Sequence, residues 1–129
     1  MNTRLRLWVG ALLLVSAAAP LSAHHSFAAE FDRARPVSFR GVVTKVEWMN
    51  PHVWFYVDAK DADGRVVHWE CEATNPNLLA RNGWKRDSLK IGDEVAVQGF
   101  RAHCCDNVMN STSIVLADGR KVFSGEAQR

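Results

Sequence analysis

Two segments of alternating character, residues 53–59 and 65–73, are separated by Asp61-Ala62-Asp63-Gly64. In the first, Val53, Phe55 and Val57 alternate with His52, Trp54, Tyr56 and Asp58. In the second, Val67, Trp69 and Cys71 alternate with Val66, His68, Glu70 and Glu72. A period of two is that of a β-strand, whose successive side chains point to opposite faces. Two such runs joined by an Asp/Gly-rich turn are a hairpin, and the turn length fixes the register. A two-residue Asp-Gly turn would set Val57 opposite Glu70 and mix the two faces. A three-residue loop, Ala62 to Gly64 with Gly64 in the left-handed region, sets Val57 opposite Trp69 and Phe55 opposite Cys71. Register follows the buried face, so the second arrangement is expected. The outer face then pairs Asp58 with His68, Tyr56 with Glu70 and Trp54 with Glu72.

The remaining strands are arranged around this hairpin. Pro36 opens the first strand, 37–48, in which Gly41 marks a bend or bulge. Met49-Asn50-Pro51 is a turn. Thr74-Asn75-Pro76 breaks the third strand, and residues 77–82 form a short helix stopped by Gly83, with Trp84 as a plug. Leu89-Lys90-Ile91-Gly92-Asp93 turns into a fourth strand, 94–102. A loop at 103–107 leads to a fifth, 109–117, and Asp118-Gly119-Arg120 turns it into a tail strand at 121–123. Three strands, a short helix and two strands is the order of an OB-like five-stranded barrel, mainly all-β. Closure removes the unpaired edges of a small sheet. An open β-sandwich or roll is the alternative. Residues 24–35 read as an N-terminal arm, 36–124 as the single domain and 125–129 as a frayed tail.

The first 23 residues set the compartment. Arg4 and Arg6 precede an apolar run, 7–19, and Ala23 closes the segment. This is the pattern of a cleaved secretory signal peptide. The run is short of the about 20 residues a membrane helix needs. Cleavage after Ala23 would leave a periplasmic or secreted chain with no membrane anchor. The leader carries two of the chain's 16 basic residues and no acid, so 14 basic and 14 acidic residues remain. A neutral domain has little electrostatic reason to hold nucleic acid, whose binding depends on phosphate neutralisation. The mature length supports one modest core.

Ala23-His24-His25-Ser26-Phe27, Gly41-Val42-Val43, Glu47-Trp48, Asn50-Pro51-His52, Asp63-Gly64, Trp69-Glu70, Leu89-Lys90-Ile91-Gly92-Asp93, and Leu116 with Asp118-Gly119-Arg120 carry a resemblance. With these the chain resembles a family of small exported bacterial proteins, a domain of unknown function. The similarity covers nearly the whole mature chain. It implies a bacterial, periplasmic setting and a β-barrel-like fold, and no established activity. Cys71 and His103-Cys104-Cys105 stand outside the family's pattern.

Three constellations offer chemistry. After cleavage His24 would present its α-amine and imidazole together, a pair suited to Cu(II), which favours nitrogen donors in a tetragonal plane. His25 adds a second ring, and His52 or His68 would complete a copper or other transition-metal site. The outer hairpin face, with Trp54, Tyr56, Asp58, His68, Glu70 and Glu72, suits a sugar, a peptide or a cation. An envelope protein partner is one such occupant. Cross-strand pairing within the sheet is the plainer use of the same residues. Third, His103-Cys104-Cys105-Asp106 sets thiols beside an imidazole, donors for a soft metal, and an oxidising compartment permits the favoured alternative, a disulfide from Cys71 to Cys104 or Cys105. The chain has no Gly-x-Ser-x-Gly elbow, phosphate loop or His-Glu-x-x-His. It reads as a binding domain rather than an enzyme.

Overall fold

The computed structural model of the chain describes residues 26–125. Gly64 takes a φ of 80°, in the left-handed region that glycine reaches without steric cost. Its N–H donates to the Asp61 carbonyl, and the Asp61 N–H donates to the Arg65 carbonyl. The Asp61 carboxylate accepts from the amides of Asp63 and Arg65 at 2.9 Å. This turn delivers the expected register: Val57 faces Trp69, Phe55 faces Cys71, Tyr56 faces Glu70 and Asp58 faces His68.

Among the described residues the fold is mainly β, with six strands in one sheet and two short helices. In chain order these are α1 (Phe27–Glu30), β1 (Phe31–Glu47), β2 (Trp54–Lys60), β3 (Val66–Glu72), α2 (Pro76–Arg81), β4 (Glu94–Ala102), β5 (Val108–Leu116) and β6 (Lys121–Ser124). The sheet order is β3-β2-β1-β4-β5-β6, with neighbours antiparallel. β3 also pairs with β5 in parallel, Glu70 to Val108, Cys71 to Met109 and Glu72 to Asn110, so the pairings of five strands form a ring. No described helix is long and apolar enough to cross a membrane.

The inner faces supply the core. Phe55, Val57, Cys71, Val97, Met109 and Ile114 are at most 1% exposed. Burial alternates along β2, as the period of two requires. The helix α2 and the segment after it contribute Leu79 and Trp84 to the core. Asn75 caps this helix by accepting from the Leu78 N–H at 2.8 Å, and Pro76 occupies the first turn, where its missing N–H costs nothing. Leu79 is fully buried and Trp84 nearly so.

Two details differ from the sequence reading. The first strand opens at Phe31, not Pro36: Phe31 pairs with Ala102, and Pro36 follows at a register shift, where a residue without an N–H is tolerated. Much of the expected arm is thus strand. Gly41 makes no bulge; the β1–β2 irregularity lies between Val43 and Lys45. Gly41 is instead pressed against β2, where a Cβ would collide with the Asp58 carbonyl and the Val57 side chain. β1 pairs with β2 and β4 at once at this point, Gly41 facing both Ala59 and Val95.

Candidate functional site

The outer face of the β2–β3 hairpin separates into three clusters. At the turn end, His68 Nδ1 lies 2.6 Å from Asp58 Oδ1, with His68 79% and Asp58 36% exposed. In the middle, the Tyr56 hydroxyl donates to Glu47 Oε2 at 2.9 Å, and Lys45 sits 4.9 Å over the Tyr56 ring while pairing with Glu47. Burial, helped by that hydrogen bond and by the charges of Glu47 and Glu70, pushes the Tyr56 phenol up to about 12. The hydrogen bonds from Lys45 and Tyr56 hold the Glu47 carboxyl below its usual range. Glu70 is exposed, and its amide donates to the Asn107 carbonyl.

At the far end His52 Nδ1 bonds Glu72 Oε1. Glu72 is only 6% exposed at its side chain and His52 31%. Alternation along β3 puts Glu72 on the solvent face, but the parallel pairing with β5 sets buried Asn110 opposite it. Burial pushes the Glu72 carboxyl above the usual carboxylate range, and the charge of Glu30 adds to that shift. His52 and the Asn110 side chain act in the opposite sense. A buried carboxylate is tolerated only with such partners.

Trp54, cross-strand neighbour of Glu72, lines an adjoining cleft of about 540 Å³. Its other walls include Glu30 and Phe31 from the α1–β1 junction, Ala102 and His103 at the end of β4, and Val108 from β5. Aromatic contacts dock α1: the Phe27 ring lies 5.4 Å from that of Phe31 and 6.1 Å from that of Phe100. The His103 N–H donates to the Glu30 carbonyl at 2.9 Å, and its Nε2 donates to the Ala28 carbonyl at 3.2 Å. α1 and the β4–β5 loop thus form one wall.

The expected bridge from Cys71 to Cys104 or Cys105 is not what the structure forms. Cys104 and Cys105 are bonded to each other, and Cys71 is a free, buried thiol. Cys71 occupies the inner face, between Phe55 and Met109 in the register, while the other two are exposed on the β4–β5 loop. Burial pushes the Cys71 thiol well above its ordinary value, so it is held as the unreactive thiol.

Of the four histidines proposed for metal, the two described ones, His52 and His68, lie apart. His68 belongs to the turn end and His52 to the opposite end. Trp54 and Asp58 alone are separated by about 13 Å of strand. His24 and His25 lie outside the described residues. Among the described residues no group of three or more His, Cys, Asp or Glu side chains is placed to hold a metal ion. Glu30 and Asn110 were not legible as site residues, because long-range pairing brings them in and leaves no local signal. His103 stood out in the sequence beside Cys104 and Cys105, but its contact with α1 did not.

A family model described as a family of unknown function (DUF6152) matches residues 11–108. Neither the curated proteins nor the solved structures contain a match to the chain.

Proposed function

From the premise that the chain belongs to this family of unknown function (DUF6152), we propose that it is an exported, periplasmic binding domain with an OB-like barrel. The observation that carries this reading is the position of the cleft. The five-strand ring runs β1-β2-β3-β5-β4, with α2 between β3 and β4, which is the connectivity of that barrel. Small barrels of this type hold ligands on the β2–β3 face, between the β1–β2 and β4–β5 connections. Trp54 stands where the first connection enters β2, and His103 and Cys104 belong to the second; all three line the cleft. Its volume lies within the range of small-molecule sites, about 300–1,000 Å³. Benzyl alcohol titrated into labelled protein is expected to shift amide resonances at residues 29–31, 54, 102–104 and 108. Shifts scattered over the surface, or absent there, would remove the cleft as a binding site.

A second reading makes copper or another transition metal the ligand. It is favoured by the sequence, in which two adjacent histidines, His24 and His25, follow the expected cleavage point at Ala23. A free amine and imidazole at His24, with the His25 ring, form a nitrogen-donor set for Cu(II). His52 and His68 contribute less to this reading, since Glu72 and Asp58 already engage them. Calorimetric Cu(II) titration of protein processed after Ala23 is expected to show stoichiometric binding at least about tenfold tighter than protein carrying one extra N-terminal residue. Equal, weak binding by both would exclude the terminal chelate. An envelope-interaction role for the hairpin face has less support, because Tyr56, Asp58 and His68 have partners within the chain.

A further inference from the structure

We infer that the Cys104–Cys105 bond is a thiol–disulfide exchange site whose substrate is a small organic thiol, its apolar or aromatic body seated in the cleft beside Trp54. The seating of that body rests on the cleft being the binding site. The exchange chemistry goes beyond that reading.

The bond does little for the fold. A cross-link stabilises a chain largely by closing a loop in its unfolded state, and two adjacent cysteines close none. Both residues are exposed on the β4–β5 loop, and exposed disulfides are the ones that exchange readily with thiols. The chain's third cysteine, Cys71, is buried on the inner face and cannot trade partners with the pair. Cys104 and Cys105 thus form a self-contained two-electron couple at the surface.

Its position selects the substrate. Cys104 lines the cleft and Cys105 does not, so a molecule seated there meets the Cys104 sulfur. Phe31, Trp54, Ala102 and Val108 give the same cleft its carbon surface, which favours an apolar body. The loop is tied down on both sides of the pair. The His103 N–H donates to the Glu30 carbonyl at 2.9 Å, and Asp106 is reached by Arg35 and Arg101 at 3.4 and 3.6 Å. Two guanidinium groups against one carboxylate leave positive charge at the residue after Cys105, and positive charge favours a thiolate over a thiol.

The step follows from these placements. The thiolate of the bound molecule attacks the Cys104 sulfur, and its electron pair forms a new S–S bond. The Cys104–Cys105 bond breaks, and its electron pair leaves on the Cys105 sulfur, which takes a proton from water. The product is a mixed disulfide on Cys104 and a free Cys105. A second thiolate attacking the ligand's sulfur releases a symmetric disulfide and frees Cys104. Two substrate thiols are then oxidised, and the protein's disulfide is reduced by the same two electrons.

Benzyl mercaptan carries the body of benzyl alcohol on a sulfur, and 2-mercaptoethanol offers a comparable thiol without the ring. Reaction of the oxidised protein with each, at equal thiolate concentration and without oxygen, is followed by acid quench and intact mass. Benzyl mercaptan is expected to open the bond about tenfold faster, a gap of about 1.4 kcal/mol supplied by seating the ring. Peptide mapping should place the mixed disulfide on Cys104. Excess benzyl alcohol should slow benzyl mercaptan and leave 2-mercaptoethanol unaffected, and Trp54→Ala should bring the two rates together. Equal rates in the wild type, an advantage that survives benzyl alcohol, or no reaction with either thiol would overturn the inference. Amide shifts from benzyl alcohol on the same sample separate the two readings. Shifts at the cleft without selective exchange leave the cleft as a site, and their absence removes both.

Discussion

Replacing His52 with alanine is expected to cost the fold about 3 kcal/mol at pH 8, and much less at pH 5. The imidazole is a direct partner of a carboxylate that is 6% exposed. Removing one member of such a pair leaves a charge without water and without its counterpart. Glu72 relieves this strain by taking up a proton. Its folded pKa already lies above the unfolded carboxylate value, through burial first and the charge of Glu30 second. A raised folded value means that ionisation opposes folding. That penalty is absent below the unfolded value, about 4.3, and grows as pH rises through the folded one. Without His52 the folded value moves higher still, so the penalty at pH 8 increases. Urea midpoints of wild type and His52→Ala at the two pH values check this. The gap should widen with pH, and Glu72→Gln in the His52→Ala background should restore most of the loss. A gap independent of pH would show that His52 supports the fold by packing alone.

This pair also marks the limit of what the sequence reveals. The hairpin register was legible because two local signals agree: Gly64 selects the loop, and the alternation of Phe55, Val57, Trp69 and Cys71 selects the face. The α2 cap was legible for the same reason, since Asn75, Pro76 and Gly83 act within a few residues of each other. Glu72 defeats local reading. Alternation assigns it to solvent, and only the parallel pairing with β5 covers it. The start of β1 fails similarly, because Asp32, Arg33 and Arg35 are charged and the pairing of Phe31 with Ala102 is what extends the strand. Gly41 invites the local explanation of a bulge, whereas the constraint is the approach of the Asp58 carbonyl from β2. The cysteines follow the same rule. Compartment chemistry allows a bridge from Cys71, but its position on the inner face places it away from the exposed pair. The candidate site was therefore half legible: Trp54 and His52 from the strand and turn pattern and His103 beside its cysteines, but not Glu30, the burial of Glu72 or the contact of His103 with α1.

Trp54 and Phe55 allow the division between fold and site to be tested at adjacent positions. They point to opposite faces of β2, Phe55 into the core at 1% exposure and Trp54 into the cleft wall. Phe55→Ala is expected to cost about 3–5 kcal/mol, combining the lost transfer energy of the ring with the cavity it leaves. Domains of this size have about 5–15 kcal/mol of total stability, so the variant would lie near its unfolding threshold. Its melting temperature should fall by roughly 20 °C. The cavity would open opposite Cys71, so that buried thiol should also become more reactive to alkylating reagents under native conditions than it is in the wild type. Trp54→Ala should cost only about 1 kcal/mol, since the indole is half-buried and leaves no enclosed void. It should nevertheless abolish benzyl alcohol binding at the cleft. Thermal melts and the probe titration together read both outcomes. If Trp54→Ala melts as low as Phe55→Ala, the indole is a core residue and the cleft loses its aromatic wall. If it melts close to wild type and still binds the probe, the ligand surface lies elsewhere. The expected pattern, one variant unstable and the other stable but unable to bind, follows from the period of two in the strand. The same alternation that builds the core through Phe55 leaves its neighbour available to a ligand.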